Sequence, residues 1–409
     1  MSGRTRKIAL FMAPEDSTFE TDPSTNGSGY SWVPALMVGL FKSSRERLPT
    51  NYQTGRDAPT LPVLGADGGS FDCEVPLLGL ATAAGHTTSP PSNDWLDTLL
   101  DHIFTSSTST AGKNVGSGST SSTLVLATSG PHALQDLVPV FEANKPSTGS
   151  RQRTQWSKIT DAASAPTYSI APNWSSAPTS AGVCYGHKRW SVESAVDGGG
   201  NSLAFVYVLD SEKYTMLGCR VTKAVIVGER GKVWRLKLTI AYSSCAIDAG
   251  KSSLPTVDKL GRAPCKWYGS PFTFNGTAYP VPQCEIDLGL KTAELEAQEA
   301  PNGRAANEVI SARPVVSVSP QWSSTIRALS ETGSSDIPTN GPLIVQIGAG
   351  VLSGGVLNTL AFHAELAYPK EANPTDSDGR LRAMLPFECV DPGVFSGSTV
   401  GRFGQLVRA

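Results

Sequence analysis

Charge is scarce in this chain, and positive charge is not in excess. Of 409 residues only 17 % are Asp, Glu, Lys or Arg, and the formal net charge is −2. A protein that grips nucleic acid needs clustered Lys and Arg to displace counterions from phosphate. The composition therefore predicts weak contact with DNA or none. Histidine is rare as well: His86, His102, His132, His187 and His363 stand at no metal-ligand spacing. His102, near the end of an expected helix, reads as a partly positive imidazole favoured by the helix dipole. The cysteines (Cys73, Cys184, Cys219, Cys245, Cys265, Cys284, Cys389) include no C-x₂-C pair, which removes the common zinc motif. Cys219 and Cys389 read as small buried hydrophobes. No apolar run approaches the ~18 residues of a membrane helix, and the apolar patch near Met1 is too short for a signal peptide. The expectation is a soluble protein made in a reducing cytoplasm, with no membrane partner. Walker A, G-x-G-x-x-G after a strand, H-E-x-x-H and G-x-S-x-G are all missing. No catalytic residue, cofactor or metal is assigned. Asp94 and Asp97 read as a solvated helix face, and Asp376-x-Asp378-Gly379 as a polar hairpin tip.

What the chain does hold is turn residues and alternation. Gly (40) and Pro (29) are plentiful, as in turn-rich β structure. The organising stretch is Tyr214–Tyr242, two long strands joined by Gly228-Glu229-Arg230-Gly231. In the second strand Trp234, Leu236, Leu238, Ile240 and Tyr242 alternate with Val233, Arg235, Lys237, Thr239 and Ala241. A period of two marks a strand with one dry and one wet side. Extended, it would reach roughly 35 Å, long for a globular strand. Glycines at both ends of the turn supply the positive φ of a tight hairpin.

In chain order, residues 1–29 read as an N-terminal arm that orders against a partner, and 43–60 as a polar loop. Phe71, Cys73 and Val75 alternate with Asp72 and Glu74. Ser92-Asn93-Asp94 then offers an N-cap to a helix whose apolar stripe is Trp95, Leu96, Leu99, Leu100 and Ile103. The stretch from Ser107, STSTAGKNVGSGSTSS, reads as a flexible loop, Thr123–Thr128 as a strand, and 144–202 as a loop-rich excursion. The domain division is placed at a linker, 251–262, between a first unit, 30–250, and a second, 263–409. The second unit shows alternation at Cys284–Leu290, a candidate strand pair at Glu308–Ser319 broken by Pro314, a helix at Gln321–Glu331 and strands at Leu343–Ile347 and Leu357–Tyr368. In the last of these Leu360, Phe362, Ala364, Leu366 and Tyr368 are expected on the dry side, and His363 and Glu365 on the wet one. The units echo each other as strand, helix, strand, hairpin: Phe71–Leu80, Asp94–Phe104, Thr123–Thr128, Tyr214–Tyr242 against Glu308–Ser319, Gln321–Glu331, Leu343–Ile347, Leu357–Val390. A diverged duplication accounts for that order.

Three stretches carry a family resemblance. They are FDCEVPLLGLATAAG with SNDWLDTLLDHIF; the hairpin opening Tyr214, Gly218, Cys219, Arg220, Val221 with VWRLKLTIAY; and Cys284–Pro320, in which Asp287-Leu288-Gly289 leads through Asn302-Gly303 to Arg313-Pro314. In this order they resemble the major tail tube proteins of long-tailed bacteriophages. The resemblance implies a mainly β fold of two tandem sandwich or barrel domains, each with one short helix and a long hairpin lining a ring. It implies stacked rings forming a tube, located in the virion after synthesis in the host cytoplasm. Its partners would be further copies of the chain, other tail proteins at the tube ends, a tape-measure protein and passing DNA. The internal echo favours a trimer with pseudo-sixfold symmetry over a hexamer. Lys223, Arg235, Lys237, Glu285, Asp287, His363 and Glu365 are the candidate lumen-facing or inter-subunit positions. The alternative is a β-rich carbohydrate-binding or host-recognition module, with Trp156, Trp174, Trp190 and Trp267 offered to sugars. A hydrolase with unrecognised carboxylates is a third reading, with no substrate indicated.

Overall fold

A computed structural model describes residues 8–15, 22–23, 29–39, 42–43, 47–48, 63–64, 68–79, 94–104, 106–110, 113–127, 137–142, 154–164, 166–171, 177, 182–184, 187–193, 202–209, 212–248, 264–267, 272–296, 304–330, 339–351, 357–372, 374–377, 380–391 and 402–408. In chain order the strands begin with β1 (Ile8–Pro14), β2 (Ser31–Val33), β3 (Met37–Val38), β4 (Lys42–Ser43), β5 (Arg47–Leu48), β6 (Val63–Leu64) and β7 (Gly69–Pro76). Helix α1 (Trp95–Ile103) follows, then β8 (Ser106–Thr110), β9 (Lys113–Asn114), β10 (Thr123–Val125), β11 (Leu137–Glu142), β12 (Thr154–Ser164), β13 (Thr167–Ala171), β14 (Gly182–Cys184) and β15 (His187–Glu193). Next come β16 (Leu203–Leu209), β17 (Glu212–Glu229), β18 (Arg235–Tyr242), β19 (Ser244–Asp248), β20 (Phe272–Phe274), β21 (Thr277–Tyr279), β22 (Gln283–Asp287), β23 (Leu290–Glu296), β24 (Arg304–Ala312) and β25 (Val315–Val318). The chain continues through α2 (Ser324–Ser330), β26 (Gly341–Val351), β27 (Leu357–Pro369), β28 (Pro374–Ser377), β29 (Arg380–Ala383), β30 (Leu385–Val390) and β31 (Arg402–Arg408).

The fold is mainly β, and nineteen strands share one hydrogen-bonded network. Its joint is β17. One edge of β17 is paired along its length by β18 and β19; the other is taken first by β16 and then by β22. A strand this long must bend to serve two sheets. Gly218 (φ 64°) supplies the bend, and the buried carboxylate of Glu15 accepts the Gly218 N–H at 2.6 Å. Residues before the bend join β16, β1 and β2; residues after it belong to the larger sheet.

The expected hairpin forms, with one change. Trp234, Leu236, Leu238, Ile240 and Tyr242 are all buried while Lys237 is exposed. Gly231 has the positive φ, 83°, but Gly228 lies inside β17 and needs none. What Gly228 supplies is room: a Cβ there would stand 2.4 Å from the Trp234 ring, which stacks on Trp267 at 5.0 Å.

Several expectations are corrected. Ile8–Pro14 is no arm: β1 pairs with β16, and Leu10 and Met12 are core residues, 1 % exposed. Its unbroken apolar run is that of a strand covered on both faces. The 107–122 loop and the 144–202 excursion also contain ordered strands. β9, β10, β13, β12, β11 and β14 pair in a ring that the bridge Val115↔Leu126 closes. This small barrel packs Leu124, Ile159, Tyr168, Ile170 and Cys184 inside. It is inserted between β8 and β15, which pair with each other, so chain entry and exit are neighbours. β15 itself places Trp190 and Val192 in the main core. Residues 1–7, most of 43–60 and 251–262 lie outside the described residues.

The division at 251–262 does not interrupt the sheet, because β17 and β22, from either side of it, pair directly. On each side the chain lays strands in the same spatial order. The first side runs β3, β7, β18, β17, β16; the second runs β22, β25, β30, β27, β26. Each has its helix after the second strand of that series. The strand matching β26 is therefore β16. Thr123–Thr128, expected in that role, belongs instead to the inserted barrel, where β10 pairs β13.

Candidate functional site

The larger sheet has one face on the hydrophobic core and one face open. Register brings open-face residues into rows. One row reads Met37, Glu74, Lys237, Val225, Asp287, Val315, Glu388, Tyr368, one residue from each of β3, β7, β18, β17, β22, β25, β30 and β27. A neighbouring row reads Pro76, Arg235, Val227, Glu285, Ser317, Pro386. Charge thus runs in columns: acidic on β7, basic on β18, acidic again on β22. Cross-strand neighbours of opposite sign stabilise such a face modestly. Glu74 bonds the Arg235 guanidinium at 2.9 Å and lies 3.7 Å from Lys237 Nζ; the Thr239 hydroxyl donates to Asp72 at 2.7 Å.

Lys223, Lys237 and Glu285 line a groove of about 350 Å³ with Asp72, Glu74 and the exposed Met37 on its walls. Further along, Glu388 accepts from Tyr368 at 2.7 Å and from Lys370 at 2.5 Å. Those hydrogen bonds, from Lys370 first and then Tyr368, hold the Glu388 carboxyl below its ordinary range. Lys223, Arg235, Lys237, Glu285 and Asp287 thus stand on one face; the alternation separates Arg235 and Lys237, and Glu285 and Asp287, from the apolar residues of their own strands, while Lys223 is placed by register alone. The sequence offered Asp72 and Glu74 through their alternation with Phe71, Cys73 and Val75. Glu388 and Lys370 gave no signal until register was known.

His363 and Glu365 do not join them. His363 is fully buried, its Nδ1 3.0 Å from Gln405 Nε2, and Glu365 is half-buried. Two causes act. β31 and the inserted barrel cover the first half of β27: Trp156 Nε1 donates to the buried Thr359 hydroxyl at 3.3 Å. A bulge between Ala364 and Ala367 then shifts the alternation, so Ala367 turns inward and Tyr368 outward. Expecting Leu366 and Tyr368 on the dry side was therefore wrong.

The acids of α1 also differ from expectation. Asp94 and Asp97 form a capping box, and both bind Arg408, whose guanidinium is fully buried. Asp101 binds Lys188 Nζ and Trp190 Nε1, each at 2.8 Å. His102 Nδ1 donates to Thr98 O at 2.7 Å, and burial lowers its pKa, which works against the partly positive imidazole expected. Trp156, Trp190 and Trp267 are buried and present no platform to a sugar; Trp174 lies outside the described residues.

Six large apolar side chains stand exposed among the described residues: Leu36, Met37, Ile247, Ile310, Leu381 and Met384. Met37 is on β3 and Ile247 on β19, each the outer strand of its sheet; Ile310 is on β24. β23 and β24 pair only with each other, extending the β22–β25 hairpin beyond the sheet as a two-stranded ribbon. Gly289 (φ 59°) kinks it where a Cβ would lie 2.1 Å from Arg313 O. Among the described residues no helix is long and apolar enough to cross a membrane. No protein-family model matches the chain, and no curated protein sequence matches it.

Proposed function

We propose that this chain is a self-assembling structural subunit of the tail-tube kind, in which copies join edge to edge into rings and rings stack around a channel for DNA. The observation that carries this reading is the β17–β22 joint. There the first strand of one five-strand series adds to the long strand of the preceding series. The outer ends of the molecule keep the same two elements: β3, with one partner strand, and the end of β27. Repeating the joint between molecules sets the β3 edge of one copy against Pro369–Glu371 of the next. That contact is heterologous, and such contacts close into rings when the rotation permits. Exposed Leu36 and Met37 beside a free strand edge fit a surface that another chain covers. Two series per chain favour a trimer with pseudo-sixfold symmetry.

The open face with its columns of alternating sign is the surface we assign to the channel. Carboxylates beside each cation keep it from holding phosphate tightly. The β23–β24 ribbon, with Ile310 exposed at its root, is long enough to reach a stacked ring; extended, its seven-residue β23 spans roughly 24 Å. The virion is the location this function requires. The test pairs Leu36→Cys with Glu371→Cys under mild oxidation, with negative-stain imaging of the unsubstituted protein. Cross-linking that ends at three chains, with rings in the images, is the expected result. A monomer at every concentration, with no inter-chain link, would overturn the proposal.

A further inference from the structure

β31 occupies a slot one strand wide. On one side it pairs antiparallel with β15, from Lys188↔Arg408 to Glu193↔Arg402; on the other with β27, from Leu360↔Arg408 to His363↔Gln405. The slot reads its occupant at several positions. Gly404 passes where a Cβ would come 2.8 Å from the Phe362 ring and 3.1 Å from His363 O. Gln405 meets His363, and Leu406 and Val407 are fully buried. Arg408 closes the far end. Its Nε donates to Leu78 O at 2.8 Å; Nη1 donates to Asp94 at 2.8 Å and to Asp97; Nη2 donates to Gly79 O at 3.0 Å and Asp94 at 2.7 Å. All five N–H groups of a buried guanidinium are satisfied, the condition under which such a charge is tolerated out of water.

The connection into β31 does not hold it in place. Val390, ending β30, stands opposite Leu366, and Gln405 stands opposite His363 on the same edge of β27. Three residues of β27 separate those points, roughly 10 Å. The intervening residues 391–404 could reach roughly 46 Å when extended. A connection of that length does not force the strand into the slot, and it is longer than the short strained hinges that promote exchange between copies. The strand is held by the slot itself.

We propose that the cleft between β15 and β27 is a strand-acceptor site, specific for an extended Gly-Gln-Leu-Val-Arg segment and filled in each molecule by its own β31. Its occupancy ties α1 and β15 to β27, and so adds to the β17–β22 joint and the Gly79–Asn358 hydrogen bond in fastening the two strand series to each other. This is β-augmentation turned inward: main-chain pairing gives affinity, and Gly404 and Arg408 give selectivity.

The test begins with the full chain carrying a protease site within 391–401, cut after folding. A fluorescent peptide of residues 402–409 is then added and followed by anisotropy through a urea series. Saturable exchange with the severed strand is expected below the urea concentration that unfolds the body. Peptides carrying Arg408→Ala or Gly404→Val should compete about 100-fold less well, the scale of one buried charged hydrogen-bond set or one steric clash. Arg408→Lys should recover only part of the loss, since an ammonium with three N–H groups cannot serve five acceptor oxygens. Equal competition by all the peptides would overturn the proposal. So would a severed strand that leaves only when the whole molecule unfolds, for β31 would then be core and not a ligand of a slot. Neither outcome bears on ring formation, which the cross-linking test reads separately.

Discussion

The two strand series solve the same problem with different finish. In the first, the edge of β17 past its bend is covered by β22, so the joint is internal and Ile286 beneath it is fully buried. In the second, the end of β27 meets no strand of a following series, and at the opposite end of the row β3 leaves Met37 half in water. The same kind of edge is thus core in one place and surface in another. Covered, it contributes to the fold; uncovered, it is available to a second molecule. Substitutions at matched positions should therefore separate folding from association.

The largest effect is expected at the covered joint. Ile286→Asp puts a carboxylate where no partner waits, and a loss of roughly 4 kcal/mol or more, enough to unfold a marginal protein, is the expected outcome in urea melts. Met37→Asp on the uncovered edge should change stability by no more than about 0.5 kcal/mol while removing ring formation in sedimentation. Equal effects of the two substitutions on the melt would erase the distinction.

The ribbons offer a second contrast, of middle size. Between β22–β25 and β23–β24 the kink depends on Gly289, whose positive φ and contact with Arg313 O both exclude a side chain. Gly289→Val should cost about 1–3 kcal/mol from backbone strain, with the clash added. The loss should appear first as faster amide exchange in β23 and β24, because that ribbon carries the substituted kink and has no third strand to hold it. Uniform exchange through the sheet would mean that the ribbon is not a separate unit.

Much of this was legible in the residues. The α1 stripe and the alternation of β18 and of β22 follow from periodicity, because each has one dry side and one wet side. What escaped had no such contrast. β1 is apolar throughout and read as an arm because polar residues follow it. β9, β13 and β14 are only two to five residues long, so their inward residues, such as Tyr168 and Cys184, were too few per strand to show a period. The open face was found through β17, β18 and β22, but its extension to Glu388 depends on register that no single strand encodes. Arg408 carries no sequence signal at all: its partners Asp94 and Asp97 lie more than three hundred residues away.

The smallest expected effect sharpens the comparison of the two helices. α1 has a capping box at its start and His102 in its last turn; α2 has no histidine, and its last-turn cation is Arg327. Arg220 opposes charging of His102, Asp101 favours it, and Thr98 O accepts its Nδ1–H, but burial is the largest influence and the pKa falls below the ordinary 6.5. The unfolded chain therefore takes up a proton near pH 6.5 that the folded chain still refuses. Stability from this group is complete above pH 6.5 and is lost as pH falls from there toward the folded pKa. Melting temperatures of the wild type should decline between pH 7.5 and 5.5, and His102→Gln should flatten that decline although it lowers the plateau. The Glu388 carboxyl, held low by Lys370 and Tyr368, acts only below its ordinary 4.5. A wild-type curve no steeper than that of His102→Gln would show that His102 charges as freely folded as unfolded, and that the C-terminal turn of α1 is wet.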